Sequence, residues 1–458
     1  MDSKRRLSTS AISADVSGKK TRPSLPDASD ALLLAGSSTT NNSDANVKDA
    51  KDKDAENPTT GGSPSILLRD LLDFINLTAG GVQVDDIRKR FAAIATALLH
   101  GHRLVLRRAS AVKDEGEGEG ERYDVLEVEF YLWIDGVHED PYTHGSEEQR
   151  VAGRWYFHRA PRRSNDSSRS KTSASGYRGG TRKGLDLTIG KLGTTTTTTT
   201  ATTTSPYFSS STSSSTTTTT TTAGASSSSN VQREGPERDV RGGILLRSLR
   251  RVSDGKVISG PSVLVDEVLR ASGAGGIKEL VEDIWGGDTN AFQVSPSAGN
   301  KGKASLRVEA IQDSEKEEGG HGYIYSSPRI GLDLSHPGTS ASPTHPRVAF
   351  VDAPYRFFVR PDLLTANGRP QTFLGVFSRL CADKGDGFSL SLREADEEAL
   401  DEFAKTSGIG RGAVVRYYAD YRHGREKGKV STYVKVKTSS PSEYLRMVGA
   451  VTSARSRK

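Results

Sequence analysis

The chain has 458 residues, 34% of them hydrophobic, and a formal net charge of +6. It is long enough for two or three domains, although much of it lacks the apolar residues needed to fold. The single cysteine, Cys381, excludes an intramolecular disulfide, a cysteine-based zinc site and an iron–sulfur cluster, and it agrees with a reducing compartment. No run of about twenty apolar residues is present, so we expect no membrane-spanning helix.

Two low-complexity segments are predicted to be disordered. Residues 1–63 are rich in Ser, Asp, Lys, Thr and Asn, and residues 193–238 are dominated by Thr and Ser. Neither buries enough apolar surface to offset about 1–2 kcal/mol of backbone entropy per residue. A Thr/Ser tract is also typical of mucin-like stalks, but we find no secretory signal peptide. The arm instead carries Lys4-Arg5-Arg6 and Lys19-Lys20-Thr21-Arg22, which resemble a bipartite nuclear-localisation signal and predict a nuclear location.

The first predicted elements are helical. Apolar residues recur at helical spacing over 67–75 and again over 84–99, where Gly101 ends the second helix. A strand is predicted over 103–108. The acidic run 114–121 then forms a loop, and it does not suit phosphate because its own carboxylates would repel the ligand.

The most informative stretch is the predicted strand 123–133, because its residues alternate strictly from Leu126. One side is apolar, and the other carries two acids and two aromatic residues: Glu127, Glu129, Tyr131 and Trp133. Acids beside aromatic rings are typical of the wall of a polar pocket. A half-exposed edge strand is the alternative interpretation.

Two more strands, 184–190 and 243–249, flank the Thr/Ser tract. Since the cost of closing a loop grows only logarithmically with its length, we interpret the tract as a disordered flap on a hairpin. Helices are predicted over 262–269 and 277–284. The glycine-rich 272–276 between them suits a helix C-cap better than a nucleotide loop.

Residues 286–320 are predicted to be loop-like. Structure is expected to return at 323–332 and 353–359. The last ninety or so residues contain a predicted helix over 394–405 and a Tyr-rich segment around Tyr417, Tyr418 and Tyr421.

Positive charge is concentrated in residues 159–183. This segment carries eight basic residues and one acid, a net charge of +7 that exceeds the excess of the whole chain. It also contains Tyr177. A basic loop with an aromatic residue suits nucleic acid, because the cations neutralise phosphates while the ring stacks or wedges. A solvated loop is the alternative.

Short segments spread over roughly residues 85–362 resemble, in order, the motifs of the alkyladenine (methylpurine) DNA glycosylase family. They are Ala97-Leu-Leu-His-Gly101, Leu104-Val-Leu-Arg107, Glu127-Val-Glu-Phe-Tyr131, Asp140-Pro-Tyr-Thr-His144, Gly153-Arg-Trp-Tyr156, Leu185-Asp-Leu-Thr188, Ile244-Leu-Leu-Arg-Ser248, Ser259-Gly-Pro-Ser-Val-Leu264, Pro328-Arg-Ile-Gly331 and Pro354-Tyr-Arg-Phe-Phe-Val359. The resemblance implies a mixed α+β fold. We expect a single domain over 64–365, with a curved, mainly antiparallel sheet, surrounding helices and disordered insertions at about 160–176 and 193–238. Residues 366–458 would form a C-terminal extension.

The resemblance assigns roles to four residues. Glu129 takes the place of the general base that activates water for attack at the sugar C1′. Arg247 matches the arginine that helps to hold this water. Tyr131 and His144 take the places of residues that sandwich the flipped base.

The chain departs from the family pattern at three places. The second stacking tyrosine is replaced by His158 or supplied by Tyr156. Asp186 stands where the family has an asparagine that disfavours normal guanine, and we expect it to pair with Arg247 behind the site. Tyr177 is the candidate for the intercalating residue. The DNA-contacting cations would then be Arg162, Arg163, Arg178, Arg182 and Lys183.

The resemblance therefore implies a monofunctional, monomeric DNA glycosylase that acts on alkylated or damaged purines in duplex DNA. It would need no metal and no redox cofactor. One alternative is a nucleic-acid-binding protein of the same fold that has lost catalysis. Another is an unrelated interaction protein with a disordered scaffold.

Overall fold

The computed structural model describes residues 64–78, 83–108, 120–159, 176–192, 238–292, 304–312, 322–364 and 367–457. All of them fall within one compact unit, Ala55–Lys458. The N-terminal arm and most of the two predicted insertions lie outside the described residues, so their disorder remains a prediction.

Ten β-strands form one sheet in the described part of the chain. They are β1 (His102–Arg107), β2 (Glu121–Ile134), β3 (His138–Glu139), β4 (Trp155–Phe157), β5 (Leu185–Ile189), β6 (Val240–Arg251), β7 (Val257–Ser259), β8 (Ser305–Ala310), β9 (Tyr325–Ser327) and β10 (Arg356–Phe358). The main order is β4-β5-β6-β2-β1-β8, with β3 and β10 on β2, β7 on β6 and β9 on β10. Every pairing between these strands is antiparallel. The predicted mixed fold with a mainly antiparallel sheet is confirmed.

Nine α-helices surround the sheet among the described residues. They are α1 (Pro64–Leu71), α2 (Val84–Thr96), α3 (Pro261–Ser272), α4 (Pro346–Phe350), α5 (Arg369–Lys384), α6 (Asp386–Glu394), α7 (Glu397–Ser407), α8 (Arg411–Lys427) and α9 (Pro441–Ser456). Gly273 ends α3 in the left-handed region at φ +72°, which confirms the predicted C-cap.

The long strand β2 has one apolar face and one polar face, as its alternation predicts. Val128, Phe130 and Leu132 are fully buried in the main hydrophobic core. The Phe130 ring stacks on Phe91 of α2 at a centroid distance of 4.5 Å. This packing fixes which side of β2 faces the core, and it leaves Glu127 and Glu129 on the opposite side.

The strands on either side of the Thr/Ser tract pair as predicted. β5 lies antiparallel to β6, with Asp186 opposite Leu245 and Ile189 opposite Gly242. The chain therefore leaves and re-enters the sheet on neighbouring strands.

The C-terminal helices build a second hydrophobic core against the edge of the sheet. Tyr325 of β9 and Phe358 of β10 belong to this core, together with Phe373 and Phe377 of α5. The extension is thus packed directly onto β10, which pairs with β2, and onto its neighbour β9.

Two predicted helices differ from the structure. The predicted helix 394–405 corresponds to α7, which begins three residues later at Glu397, because Ala395 adopts a left-handed conformation at φ +58° and Asp396 caps the backbone N–H of Ala399. The predicted helix 277–284 contains a π-helical turn, Glu279–Ile284.

Candidate functional site

The candidate residues share the polar face of the sheet, where strand pairing aligns them in one row. Six residues lie opposite one another from β4 to β9: Tyr156, Asp186, Leu245, Glu129, Arg356 and Ser327. Neighbouring strands are roughly 4.8 Å apart, so the backbones of Glu129 and Asp186 are separated by roughly 10 Å.

Glu129 is fully buried, and both of its carboxylate oxygens accept hydrogen bonds from the protein. Oε2 accepts from the Tyr131 hydroxyl at 2.9 Å and from Arg247 Nη1 at 3.3 Å. Oε1 accepts from the backbone N–H of Ile330 at 2.7 Å. Glu129 and Arg247 thus form a direct ion pair, and the carboxylate is closed to solvent in this conformation.

Glu127 forms the second half of a buried charge network. Arg247 Nε and Arg356 Nε donate to its Oε1 at 3.2 and 2.6 Å, and the Ser248 hydroxyl donates to Oε2 at 2.5 Å. Burial by itself raises the pKa of Glu127, but the adjacent Arg356 and Arg247 guanidinium groups outweigh burial and lower it. Glu127 is therefore an anion, and together with Glu129 it balances the charges of the two arginines.

A register irregularity between β2 and β6 makes this network possible. Glu127 lies opposite Ser248, whereas the next residue, Val128, lies opposite Leu246. The consecutive residues Arg247 and Ser248 both reach Glu127 as a result, although simple alternation would point them to opposite faces.

Arg329 supports the Tyr131 ring from a fully buried position. Its guanidinium lies 4.5 Å from the Tyr131 centroid, forms an ion pair with the buried Asp140 and donates to the carbonyl of Phe130 at 3.0 Å. Burial and the Glu129 charge raise the pKa of Tyr131 well above its ordinary value. Tyr131 is consequently a neutral hydrogen-bond donor to Glu129.

Asp186 pairs with His158, which corrects the predicted ion pair with Arg247. His158 Nε2 lies 2.8 Å from Asp186 Oδ1, and Gln149 Nε2 donates to Oδ2 at 3.3 Å. The guanidinium of Arg247 is already shared between Glu127 and Glu129. The partners differ from the prediction because β6, the strand of Arg247, lies between β2 and β5. Arg247 contacts the two glutamates of β2, whereas Asp186 of β5 contacts His158 on the side of β4.

Two glycines leave the space that the His158–Asp186 pair occupies. A Cβ atom on Gly243 would lie 2.7 Å from Asp186 Oδ2, and one on Gly184 would lie 2.5 Å from His158 Nδ1. Both distances are shorter than van der Waals contact. Any other residue at either position would therefore displace the pair.

His144 joins His158 and Tyr156 in an aromatic cluster. The two imidazole centroids are 4.5 Å apart, and the Tyr156 ring lies 6.4 Å from His144 and 6.0 Å from His158. Burial, followed by the neighbouring His158, lowers the pKa of His144 to about 4. His144 is therefore neutral near pH 7.

The predicted DNA-binding residues occupy different environments. Tyr177 does not project from a loop tip, because its ring packs against Phe157 and under the Arg159 guanidinium at 4.3 Å. Arg178 donates to the carbonyl of Arg159, and Lys183 forms an ion pair with Asp266. Arg182 is exposed, whereas Arg162 and Arg163 lie outside the described residues.

A surface cleft of about 140 Å³ opens beside the aromatic cluster. Tyr156 and Tyr177 line it, together with Arg159 and Glu148, but Glu129 does not. The cleft thus lies between Tyr156 of the aromatic cluster and Arg159 and Tyr177 of the basic segment.

Four residues of the network were not assigned a role from the sequence. Arg329, Ile330 and Arg356 close around the two glutamates, and Asp140 holds Arg329. A signal for them was present, since all four fall within motifs of the family resemblance. The motifs did not indicate that Arg356 contacts Glu127, that Ile330 contacts Glu129 or that Arg329 lies against Tyr131.

Among the residues that the structure describes, no group of three or more His, Cys, Asp or Glu side chains is arranged to hold a metal ion. No helix in the described ranges is long and apolar enough to cross a membrane.

Comparisons with known proteins give one informative match. Uncharacterized protein L759 of Acanthamoeba polyphaga mimivirus is 27% identical to this chain over 244 residues, which cover 52% of this chain and 77% of the viral protein. No family model matches the chain, and no solved structure matches it.

Proposed function

We propose that this protein is a DNA glycosylase that hydrolyses the N-glycosidic bond of an alkylated or otherwise damaged purine in duplex DNA. One observation carries the proposal: Glu129 contacts both Arg247 and Tyr131, on the sheet face that also holds the His144, Tyr156 and His158 rings. A carboxylate, a guanidinium and aromatic rings on one face are the groups that base excision requires.

The chemistry assigns each group a task. Cleavage of an N-glycosidic bond passes through a sugar with oxocarbenium character, which an adjacent carboxylate stabilises while it deprotonates the attacking water. Glu129 would act as this base, and Arg247 would hold the water. The target nucleotide must leave the duplex stack, and Tyr131 and His144 would grip its base.

Catalysis by Glu129 requires the site to open. The Tyr131 hydroxyl now donates to Oε2, the oxygen that Arg247 also contacts, and the Ile330 N–H donates to Oε1. We propose that a flipped nucleotide displaces one of these two donors and so exposes the carboxylate to water. The closed conformation would then be the free state of the enzyme.

Selectivity for the damaged base would depend on the His158–Asp186 pair. By the family resemblance, His158 or Tyr156 would take the place of a stacking tyrosine, and Asp186 would take the place of a discriminating asparagine. A carboxylate held by an imidazole presents different hydrogen-bonding groups from those of an amide. We therefore propose that this protein accepts a different set of damaged purines from that family.

A second candidate function is a DNA-binding protein without excision activity. The complete burial and full hydrogen bonding of Glu129 favour it, because a purely structural ion network has the same appearance. A nuclear location is proposed with either function, on the two basic clusters of the N-terminal arm.

The two functions are separated by an excision assay with a Glu129→Gln variant. Duplexes bearing 3-methyladenine, hypoxanthine or ethenoadenine are incubated with protein, and abasic sites are cleaved with alkali. We expect the unmodified protein to excise at least one of these bases, and Glu129→Gln to lose excision while duplex affinity stays within a few-fold. A thermal melt of the variant shows whether it remains folded.

The matched control is Glu398→Gln, an exposed glutamate on α7. It should excise at the unmodified rate. Excision by Glu129→Gln at that same rate would show the catalytic assignment to be wrong. Duplex binding without excision of any of the three bases would support the second candidate function instead.

A further inference from the structure

Four lysines project from the segment that joins α8 to α9. Lys427, Lys429, Lys435 and Lys437, here called the lysine segment, are all exposed, and no acidic residue interrupts residues 427–437. None of the four lies within ion-pair distance of a carboxylate among the described residues. Nearby arginines are paired, as in Arg422 with Glu426 and Arg446 with Asp420. The lysine segment is therefore an uncompensated positive surface.

The backbone of this segment is held in place. Val430 is buried in the C-terminal core, and Tyr433 packs against it. Lys435 adopts a left-handed conformation at φ +63°, which L-residues seldom adopt, and its N–H donates to the carbonyl of Leu334 at 2.8 Å. The backbone that carries the lysines is therefore already fixed, so a ligand needs to order only the lysine side chains.

A continuous series of contacts joins the lysine segment to the candidate site. Beside Lys435, the backbone N–H of Thr438 donates to Asp333 Oδ2 at 3.3 Å. The carbonyl of Asp333 accepts from the Tyr142 hydroxyl at 3.0 Å. Tyr142 lies against Arg329, at 5.5 Å from the ring centroid to the guanidinium carbon, and Arg329 in turn stacks on Tyr131.

We propose that the lysine segment binds the phosphate backbone of the duplex whose damaged nucleotide enters the candidate site. The inference rests on the proposed function, and it adds a DNA contact from the C-terminal extension, which lies outside the family resemblance. Lysine ammonium groups bind phosphates as point charges and need no base sequence.

An acidic membrane surface is the competing partner for such a cluster. Membrane-binding surfaces combine cations with Trp, Phe or Leu side chains that enter the lipid. Val436 is the large apolar side chain that the lysine segment exposes, and the neighbouring Tyr433 and Val434 pack against the protein core. Phosphates of a nucleic acid therefore fit this surface better than a lipid bilayer does.

The test changes the four lysines together to glutamine and measures affinity for a labelled, undamaged duplex over a series of salt concentrations. Each phosphate contact contributes about 0.9 to the slope of log affinity against log salt. We expect the slope of the lysine-segment variant to be less steep by about two to three units. The matched control changes four exposed lysines on separate elements, Lys89, Lys256, Lys278 and Lys405, and should leave the slope unchanged.

Equal slopes for the lysine-segment variant and the unmodified protein would overturn the inference, even if the protein excises damaged bases. Loss of binding to phosphatidylserine vesicles with an unchanged duplex slope would also overturn it, in favour of a lipid surface. A flattened slope in a protein that excises no base would support the DNA contact while refuting the proposed glycosylase activity. The two proposals therefore fail separately.

Discussion

Arg247 Nη1 lies 3.3 Å from Glu129 Oε2, on the neighbouring antiparallel strand and shielded from solvent. The same guanidinium also contacts Glu127. Burial by itself lowers the pKa of Arg247, but the two carboxylates outweigh burial and raise the pKa above its ordinary value. A buried ion pair contributes little net stability when intact, but removing one partner leaves a charge without compensation. This asymmetry makes Arg247 a sensitive position.

Arg247→Ala is expected to lower the free energy of unfolding by about 3–5 kcal/mol, because Glu129 loses its buried cationic partner. Denaturant unfolding followed by circular dichroism measures the change. The control is Arg360→Ala, which removes an exposed pair with Asp362 and should cost less than about 1 kcal/mol. Similar losses for the two variants would contradict the assignment of a buried network.

Gly243→Ala is expected to destabilise the protein by about 1–3 kcal/mol, because the added Cβ lies 2.7 Å from Asp186 Oδ2. The same substitution should separate His158 from Asp186. Thermal melts and the imidazole NMR signals of His158 measure the two effects. Gly412→Ala in α8 is the control, since its Cβ meets no atom within 4 Å. Its stability should be unchanged or slightly higher, and a comparable loss there would argue against the steric explanation.

The pKa of His144 predicts a loss of stability in acid. The pKa of His144 is about 4 in the folded protein, whereas the ordinary value, which applies to the unfolded chain, is 6.5. The unfolded chain therefore binds a proton at His144 more tightly than the folded protein does. The free energy of unfolding should therefore fall as the pH drops from 6.5 towards 4, by roughly 2–3 kcal/mol after allowance for the partial exposure of His144.

His144→Asn should remove this part of the acid dependence. Denaturant unfolding at a series of pH values compares the two proteins, and their difference isolates His144 from the carboxylates that also titrate in acid. His158, Asp186 and Arg178 face the same ring and remain in both proteins. Parallel stability curves for the variant and the unmodified protein would show that His144 is not held neutral by its surroundings.

Deletion of residues 194–229 is expected to leave both the fold and excision intact. β5 and β6 pair through four residues each, so the strands on either side of the deletion already meet. Shortening the connection changes the entropy of loop closure by only about 1 kcal/mol, in the stabilising direction. A cooperative melt within a few degrees of the intact protein checks the prediction. A collapsed melting temperature would mean that the tract contributes to the folded structure.

The sequence by itself predicted the features that depend on local periodicity. Strict alternation placed Glu127, Glu129 and Tyr131 together on one face of β2, because successive side chains of a strand point to opposite sides. The strands around the Thr/Ser tract were predicted for the same reason. The start of α7 was predicted three residues too early, at Glu394 instead of Glu397, although Asp396 is a common helix N-cap.

Only the tertiary structure determined which side chains pair with one another on the polar face of the sheet. The backbone N–H that donates to Glu129 Oε1 belongs to Ile330, 201 residues away in the chain. The irregular register between β2 and β6 brings both Arg247 and Ser248 to Glu127. Asp186 was expected to pair with Arg247, but it pairs with His158, the residue that follows β4. Such partners depend on strand order, register and loop closure, which join residues far apart in the chain. Alternation determines the face on which a side chain lies, whereas the packed sheet determines which neighbour it meets.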